Sequence, residues 1–217
     1  MGIIGGPRAD WSIELFQRLL RLSSELPEKQ PLCITLDSDL NQLAFNADAI
    51  VQSADHLRSV GADVLLIADT AGHQFASDIS KATNLTIVDM VVEAVDFICD
   101  WHIHPQKIGV LDEDSGLDSN LYQNLIAARS IEPVCLEGKD QARFMKLGNQ
   151  IIGNGLSPNV QAEMKALAES LIIRGSEVII SGCPWAAAAL RSFNLAAMVI
   201  DSTEIVARRC LYHVSNI

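Results

Sequence analysis

The chain has 217 residues, 49% of them hydrophobic and 20% charged, with a mean hydropathy of +0.21. Its 16 basic and 27 acidic side chains leave a net charge of −11, which argues against nucleic acid as a partner because no basic stripe can displace counterions from phosphates. No apolar run reaches the roughly 18 residues of a membrane span, and five cysteines without CxxC spacing form neither a zinc pattern nor a disulfide framework.

Gly2-Ile3-Ile4 predicts a first strand. The spacing of Ile13, Phe16, Leu19, Leu20 and Ser23 predicts a helix over about 10–25, capped by Asp10. A strand over 32–36 follows, then a helix over about 44–60 with Ala47, Ile50, Val51, Ala54 and Leu57 inward. Strands are predicted at 64–68 and 86–88. The alternation then restarts with a strand at 107–111, a helix at about 117–129, a strand at 133–136, a long helical stretch, and strands at 177–181 and 198–200. His102 and His104 read as linker residues, with no acid or thiol at metal-ligand spacing. The pattern predicts an α/β fold with mostly parallel sheets.

The restart is an internal repeat. At a shift of 114, Gly61-Ala62-Asp63-Val64-Leu65-Leu66-Ile67-Ala68-Asp69 faces Gly175-Ser176-Glu177-Val178-Ile179-Ile180-Ser181-Gly182-Cys183. Gly2-Ile3-Ile4-Gly5-Gly6 echoes Ile108-Gly109-Val110-Leu111-Asp112, and Ile87-Val88-Asp89 echoes Val199-Ile200-Asp201. The expectation is two pseudosymmetric lobes, 1–98 with 205–217 and 99–204, with a ligand cleft between them. Ligands of such sheets sit beyond the carboxyl ends of the strands. The repeat therefore singles out Asp69 and Cys183 as equivalent strand-end groups, suited to moving a proton on opposite faces of a carbon centre.

The opening glycines, the Asp69-Thr70-Ala71-Gly72-His73 turn, Gly182-Cys183 and Asp201-Ser202-Thr203-Glu204 resemble the aspartate/glutamate racemase superfamily over nearly the whole chain. The resemblance implies catalysis without pyridoxal phosphate or metal, by two cysteines, the first in a Cys-Asn-Thr-Ala-His segment and the second in a Gly-Cys-Thr-Glu segment. Cys183 matches the second. Asp69 stands where the first belongs, and Pro184 and Trp185 replace the threonine and glutamate that follow the second. The resemblance also implies a small amino or carboxylic acid as substrate and a homodimer as an assembly. The basic residues that hold a side-chain carboxylate have no counterpart, since 32–54 contains neither Arg nor Lys. A carboxylate is a weaker base than a thiolate by roughly 6 kcal/mol, from ordinary pKa values of about 3.9 and 8.5.

The reading is thus a cofactor-independent racemase-like isomerase of amino-acid metabolism, with Cys183 and Asp69 as opposed acid/base groups. Gly6, Thr70, Ala71, His73, Ser115, Gly116 and Pro184 are its candidate substrate-binding residues, and amides at both helix starts stabilise the anion. Asp69 reads equally as a helix cap, Cys183 as a small buried hydrophobe, Asp112-Glu113-Asp114 as a solvated face and Glu204 as a cap of the last helix. Two alternatives stay open: a single-cysteine decarboxylase or isomerase, and a catalytically inactive relative that binds a small acid. The opening Met1-Gly2-Ile3-Ile4-Gly5-Gly6 has no basic leader region, and the expected location is the cytoplasm, with reduced thiols.

Overall fold

The computed structural model describes residues 1–6, 8–25, 32–38, 46–100 and 104–215. His102 and the start of the second predicted helix, at 44 and 45, lie outside the described residues. The chain forms two compact units, Met1–Glu93 with Thr203–Ile217, and Ala94–Ser202.

In the first unit, β1 (Gly2–Ile4), β2 (Thr35–Asp37), β3 (Val64–Ile67) and β4 (Thr86–Val88) form a parallel sheet in the order β2-β1-β3-β4. Its helices are α1 (Ala9–Ser23), α2 (Ala47–Ser59) and α3 (Ala76–Thr83), the last preceded by a tight 3-10 turn over Ala71–Phe75. The chain leaves this unit within α4 (Met90–Cys99) and returns at α10 (Ser202–Ser215). Successive strand residues point to opposite faces. Ile3, Val64 and Leu66 pack with Leu15, Leu19 and Leu22 of α1 and with Val206, Ala207 and Cys210 of α10. Ile4, Leu65 and Ile67 pack with Ile50, Ala54 and Leu57 of α2 and Ile79 of α3.

The second unit repeats the plan. Strands β5 (Lys107–Leu111), β6 (Glu132–Cys135), β7 (Val178–Ser181) and β8 (Met198–Asp201) form a parallel sheet in the order β6-β5-β7-β8. The helices are α5 (Asp114–Asp118), α6 (Leu121–Ala128), α7 (Gly138–Asn154), α8 (Pro158–Ile173) and α9 (Pro184–Leu190). The single helix predicted over 117–129 is two pieces, because Asn120 turns the chain at a left-handed φ of 55°. The long helical stretch breaks at Gly155, with φ 78°, and restarts where the Ser157 hydroxyl caps the Val160 amide and Pro158 takes the first turn.

The ladders fix the phase of the repeat. Gly2 pairs with Leu65 and Gly109 with Ile179, which are equivalent at the shift of 114, so Gly2 corresponds to Gly109. The sequence echo of Gly2 with Ile108 is therefore one residue out of step. Aliphatic runs look alike at either phase, and only the hydrogen bonds decide. In the corrected register Asp112 replaces Gly5 and Glu113 replaces Gly6.

Two helix faces also differ from the expectation. Ile13 and Leu20 are exposed, and α1 buries Trp11, Ser12, Leu15, Arg18, Leu19 and Leu22. Arg18 is tolerated inside because its guanidinium bonds to Glu14 at 2.8 Å and approaches Glu204 at 3.6 Å. Arg8, in extended backbone, holds the cap position of α1, so Asp10 falls in the first turn, bonded by the Arg8 guanidinium. Ala47, expected inside, is exposed at the start of α2. Leu19→Ala should cost about 2–5 kcal/mol and Ile13→Ala no more than about 0.5 kcal/mol, measured by urea unfolding.

Candidate active site

In the second unit the strand ends gather a thiol and two carboxylates. The β5–β7 ladder runs on through the Gly182 amide to the Leu111 carbonyl (2.9 Å), which leaves Cys183 just past the sheet. Cys183 is extended and caps α9, whose first residue is Pro184. The Ser181 hydroxyl donates to the Cys183 carbonyl at 2.8 Å, and the Ser202 hydroxyl donates to the Ser181 carbonyl at 2.8 Å. The thiol is fully buried and points to the Asp112 carboxylate, with Sγ 3.5 Å from Oδ1.

Asp112, read in sequence as part of a solvated face, is 1% exposed, and Glu113 is 8% exposed. Two glycines make the room. A Cβ at Gly182 would lie 2.5 Å from the Asp112 carboxyl carbon, and one at Gly116 would overlap its oxygens. The Glu113 amide donates to Asp112 Oδ1 at 2.8 Å, and Gln141 Nε2 donates to the Asp112 carbonyl at 3.1 Å. Glu113 in turn accepts from Trp185 Nε1 at 3.3 Å. The Trp185 ring rests on Phe144, centroids 4.6 Å apart, over Gly148, whose missing Cβ would lie 2.6 Å from it. Burial raises the Cys183 thiol well above its ordinary pKa, and the Asp112 and Glu113 charges raise it further, so the group is held as a neutral thiol.

In the first unit Asp69 follows β3 and is 5% exposed. Its Oδ1 accepts from the Ala71 amide at 2.8 Å, so that amide is already engaged, while Thr70 holds the cap position of the 3-10 turn. Thr70 is buried, and among the described residues its hydroxyl has no hydrogen-bond partner. His73 lies in the same turn with both ring nitrogens buried; Nδ1 is 3.5 Å from Asp89 Oδ1. Burial lowers the imidazole pKa more than Asp89 raises it, which favours the neutral ring. Gly6 is buried just past β1.

The structure thus brings Gly6, Asp69, Thr70, Ala71 and His73 to the strand ends of one unit, and Cys183, Pro184 and Gly116 to those of the other. Ser115, on α5, is exposed. The expected anion-stabilising amides are mostly absent. Pro184 has no amide hydrogen, and the Ala186 and Ala187 amides bond to the Cys183 carbonyl at 3.2 and 3.3 Å. Glu204 sits in the first turn of α10 and pairs with Arg21 of α1 at 2.7 Å. His104 lines a separate cavity of about 270 Å³ with Cys99 and Arg129. Among the described residues no three His, Cys, Asp or Glu side chains gather where they could hold a metal ion, and no helix is long and apolar enough to cross a membrane.

Sequence reasoning missed Asp112, Glu113 and Trp185. The repeat already set Asp112 at a strand end, opposite Gly6 in the sequence echo and opposite Gly5 in the ladder register, and its place in a run of three acids is what made it read as solvated. The two units then carry complementary patterns. The first has a carboxylate after its third strand and glycines after its first; the second has a thiol after its third and carboxylates after its first.

Residues 34–210 match the family profile described as Asp/Glu/Hydantoin racemase. A broad specificity amino-acid racemase of Bacillus subtilis, RacX, is 26% identical over 164 residues, covering 74% of this chain and 68% of its own length. An aspartate racemase homologue from Pyrococcus horikoshii superposes with a TM-score of 0.81 at 18% identity, over 99% of this chain and 98% of that one. Glutamate racemase from Francisella tularensis, solved in complex with D-glutamate, superposes with a TM-score of 0.74 at 16% identity, over 99% and 80%.

Asp112→Asn should lower the pKa of the Cys183 thiol, because it removes the nearest negative charge. Thiolate absorbance during alkaline titration, taken as the difference from Cys183→Ser, measures the change.

Proposed function

The chain belongs to the Asp/Glu/Hydantoin racemase family, and on that premise we propose that it is a racemase-type isomerase moving the α-proton of a small amino or carboxylic acid. Cys183 is the proton donor and Asp69 the base, on opposite faces of the reacting carbon. The observation that carries this reading is the buried contact of Cys183 with Asp112, which keeps the thiol loaded with its proton.

The Asp69 carboxylate takes the α-proton and becomes a neutral acid. The C–H electron pair stays on carbon and delocalises into the substrate carboxyl group. The Cys183 thiol then gives its proton to the other face and is left as thiolate. A proton returned from the Asp69 acid to the thiolate through solvent resets the pair. No cofactor enters these steps. The resting form, carboxylate and thiol, accepts one enantiomer, while the other requires acid and thiolate, so the two directions begin from unequally populated states. The same reading carries a cytoplasmic location and a homodimer, which fractionation and light scattering test.

The neutral thiol favours a second reading as well. A decarboxylase or isomerase of one cysteine needs only a donor on one face, and Cys183 beside Asp112 and Glu113 supplies one. The two readings differ in where solvent hydrogen enters.

The test is α-hydrogen exchange in deuterium oxide with a panel of L- and D-amino acids. Racemisation is expected to label both enantiomers, with Cys183→Ser and Asp69→Asn each slowing exchange at least about 100-fold. Label of a single configuration selects the second reading, and no exchange with any substrate overturns both. A donor must be protonated, so the rate should fall as pH rises through the thiol's folded pKa. That pKa is raised above 9.0, so activity should persist past pH 9 in the wild type and fail at lower pH in Asp112→Asn.

A further inference from the structure

The two units share one ladder register, so each strand position of one has a counterpart in the other. Ile4 pairs with Ile67 and Leu111 with Ser181, which puts Ser181 where the first unit has Ile67. Leu66 pairs with Val88 and Ile180 with Ile200, which puts Ser202, the first residue of α10, where the first unit has Met90, the first of α4. All four side chains are buried, none more than 2% exposed. Two apolar side chains of one core are thus hydroxyls in the other. A hydroxyl at such a place costs stability unless it is bonded.

Both hydroxyls are bonded, and in series. Ser202 Oγ donates to the Ser181 carbonyl, and Ser181 Oγ donates to the Cys183 carbonyl, each at 2.8 Å. The Cys183 carbonyl also accepts from the Ala186 and Ala187 amides at 3.2 and 3.3 Å. It is satisfied without Ser181, whose bond is the shortest of the three and fixes the direction in which the carbonyl points. Carbonyl and Cα–Cβ bond belong to one backbone unit, so they turn together. The Cys183 thiol makes no cap bond to α9 and faces Asp112 Oδ1 at 3.5 Å, while the Glu113 amide holds that oxygen from the other side at 2.8 Å.

We infer that Ser181 and Ser202 are positioning residues, a hydroxyl tether that holds the Cys183 thiol against Asp112. Neither of the two bonds involves the sulfur, so the tether acts through the backbone. Its part in catalysis rests on Cys183 being the proton donor of the proposed reaction. A small turn of the Cys183 backbone lengthens the contact with Asp112, and the influence of a charge falls with distance. The first unit ends its third strand in the Asp69 carboxylate and has Ile67 and Met90 at the two tether positions, where no hydroxyl bond can form.

Thiolate absorbance during alkaline titration, taken as the difference from the matching variant with Cys183→Ser, reads the contact without any substrate. Ser181→Ala should lower the Cys183 pKa in the direction of Asp112→Asn, and Ser202→Ala should do so by less. Combined with Asp112→Asn, Ser181→Ala should lower it no further, because the tether acts only through that carboxylate. A hydroxyl of purely structural use leaves the titration unchanged, or shifts it equally with and without Asp112. The second readout is exchange of the amino acid that the wild type labels fastest in deuterium oxide. Ser181→Ala should cut kcat about tenfold or more and leave KM nearly unchanged, since the donor is misplaced and the substrate is not. Should Ser181→Ala fail to fold, Ser202→Ala carries both measurements. An unchanged titration, or equal shifts in the two backgrounds, overturns the tether and leaves the isomerase standing. An unchanged kcat beside a shifted titration overturns its part in catalysis. A shifted titration in a protein that exchanges no amino acid upholds the tether and overturns the isomerase.

Discussion

A parallel strand covered by helices on both faces can present polar groups only where it ends. In both units the two central strands meet this condition, and their interiors are aliphatic at every position except the glycines Gly2 and Gly109 and the edge residues Lys107 and Ser181. All chemistry is thereby pushed to the residues just beyond Ile4, Ile67, Leu111 and Ser181. Those few positions hold Gly5, Gly6, Asp69, Thr70, Asp112, Glu113 and Cys183. The composition of the strands and the crowding of polar groups at their carboxyl ends are two results of one constraint.

Within that constraint the halves have diverged in electrostatics while keeping the ladder. The second unit spends its strand-end space on negative charge beside the thiol. Asp112 lies against Cys183, and Glu113 is held by an indole N–H that reaches it because Gly148 lets the ring lie low on α7. The first unit leaves glycine at those two positions, and around Gly5 its polar groups are neutral hydroxyls. A thiol beside two carboxylates in one unit and a carboxylate beside glycines in the other are not equivalent, so the symmetry of the strand order does not extend to the strand ends.

The strands and the repeated order of elements were legible because β-branched runs between turn residues carry their own signal. Register was not, because a run of aliphatics matches its neighbour at any phase, and this set Asp112 opposite Gly6 instead of Gly5. The face of α1 was misjudged for a related reason. Ile13 and Leu20 are more apolar than Ser12 and Arg18, yet the latter are inside, Arg18 with carboxylates at hand and Ser12 with no hydrogen-bond partner among the described residues. Hydropathy cannot anticipate a polar residue buried for a partner far along the chain, such as Glu204. Three consecutive acids likewise read as solvated until the glycines that shelter the first of them are seen beside it.

Asp112 fits only where neither Gly116 nor Gly182 carries a side chain. The three positions are therefore bound to one mutational history. The glycines must precede the carboxylate in any viable order of substitution, and once Asp112 is in place neither can drift to alanine without expelling it. In a comparison among descendants of this chain, the acid should vanish before either glycine does.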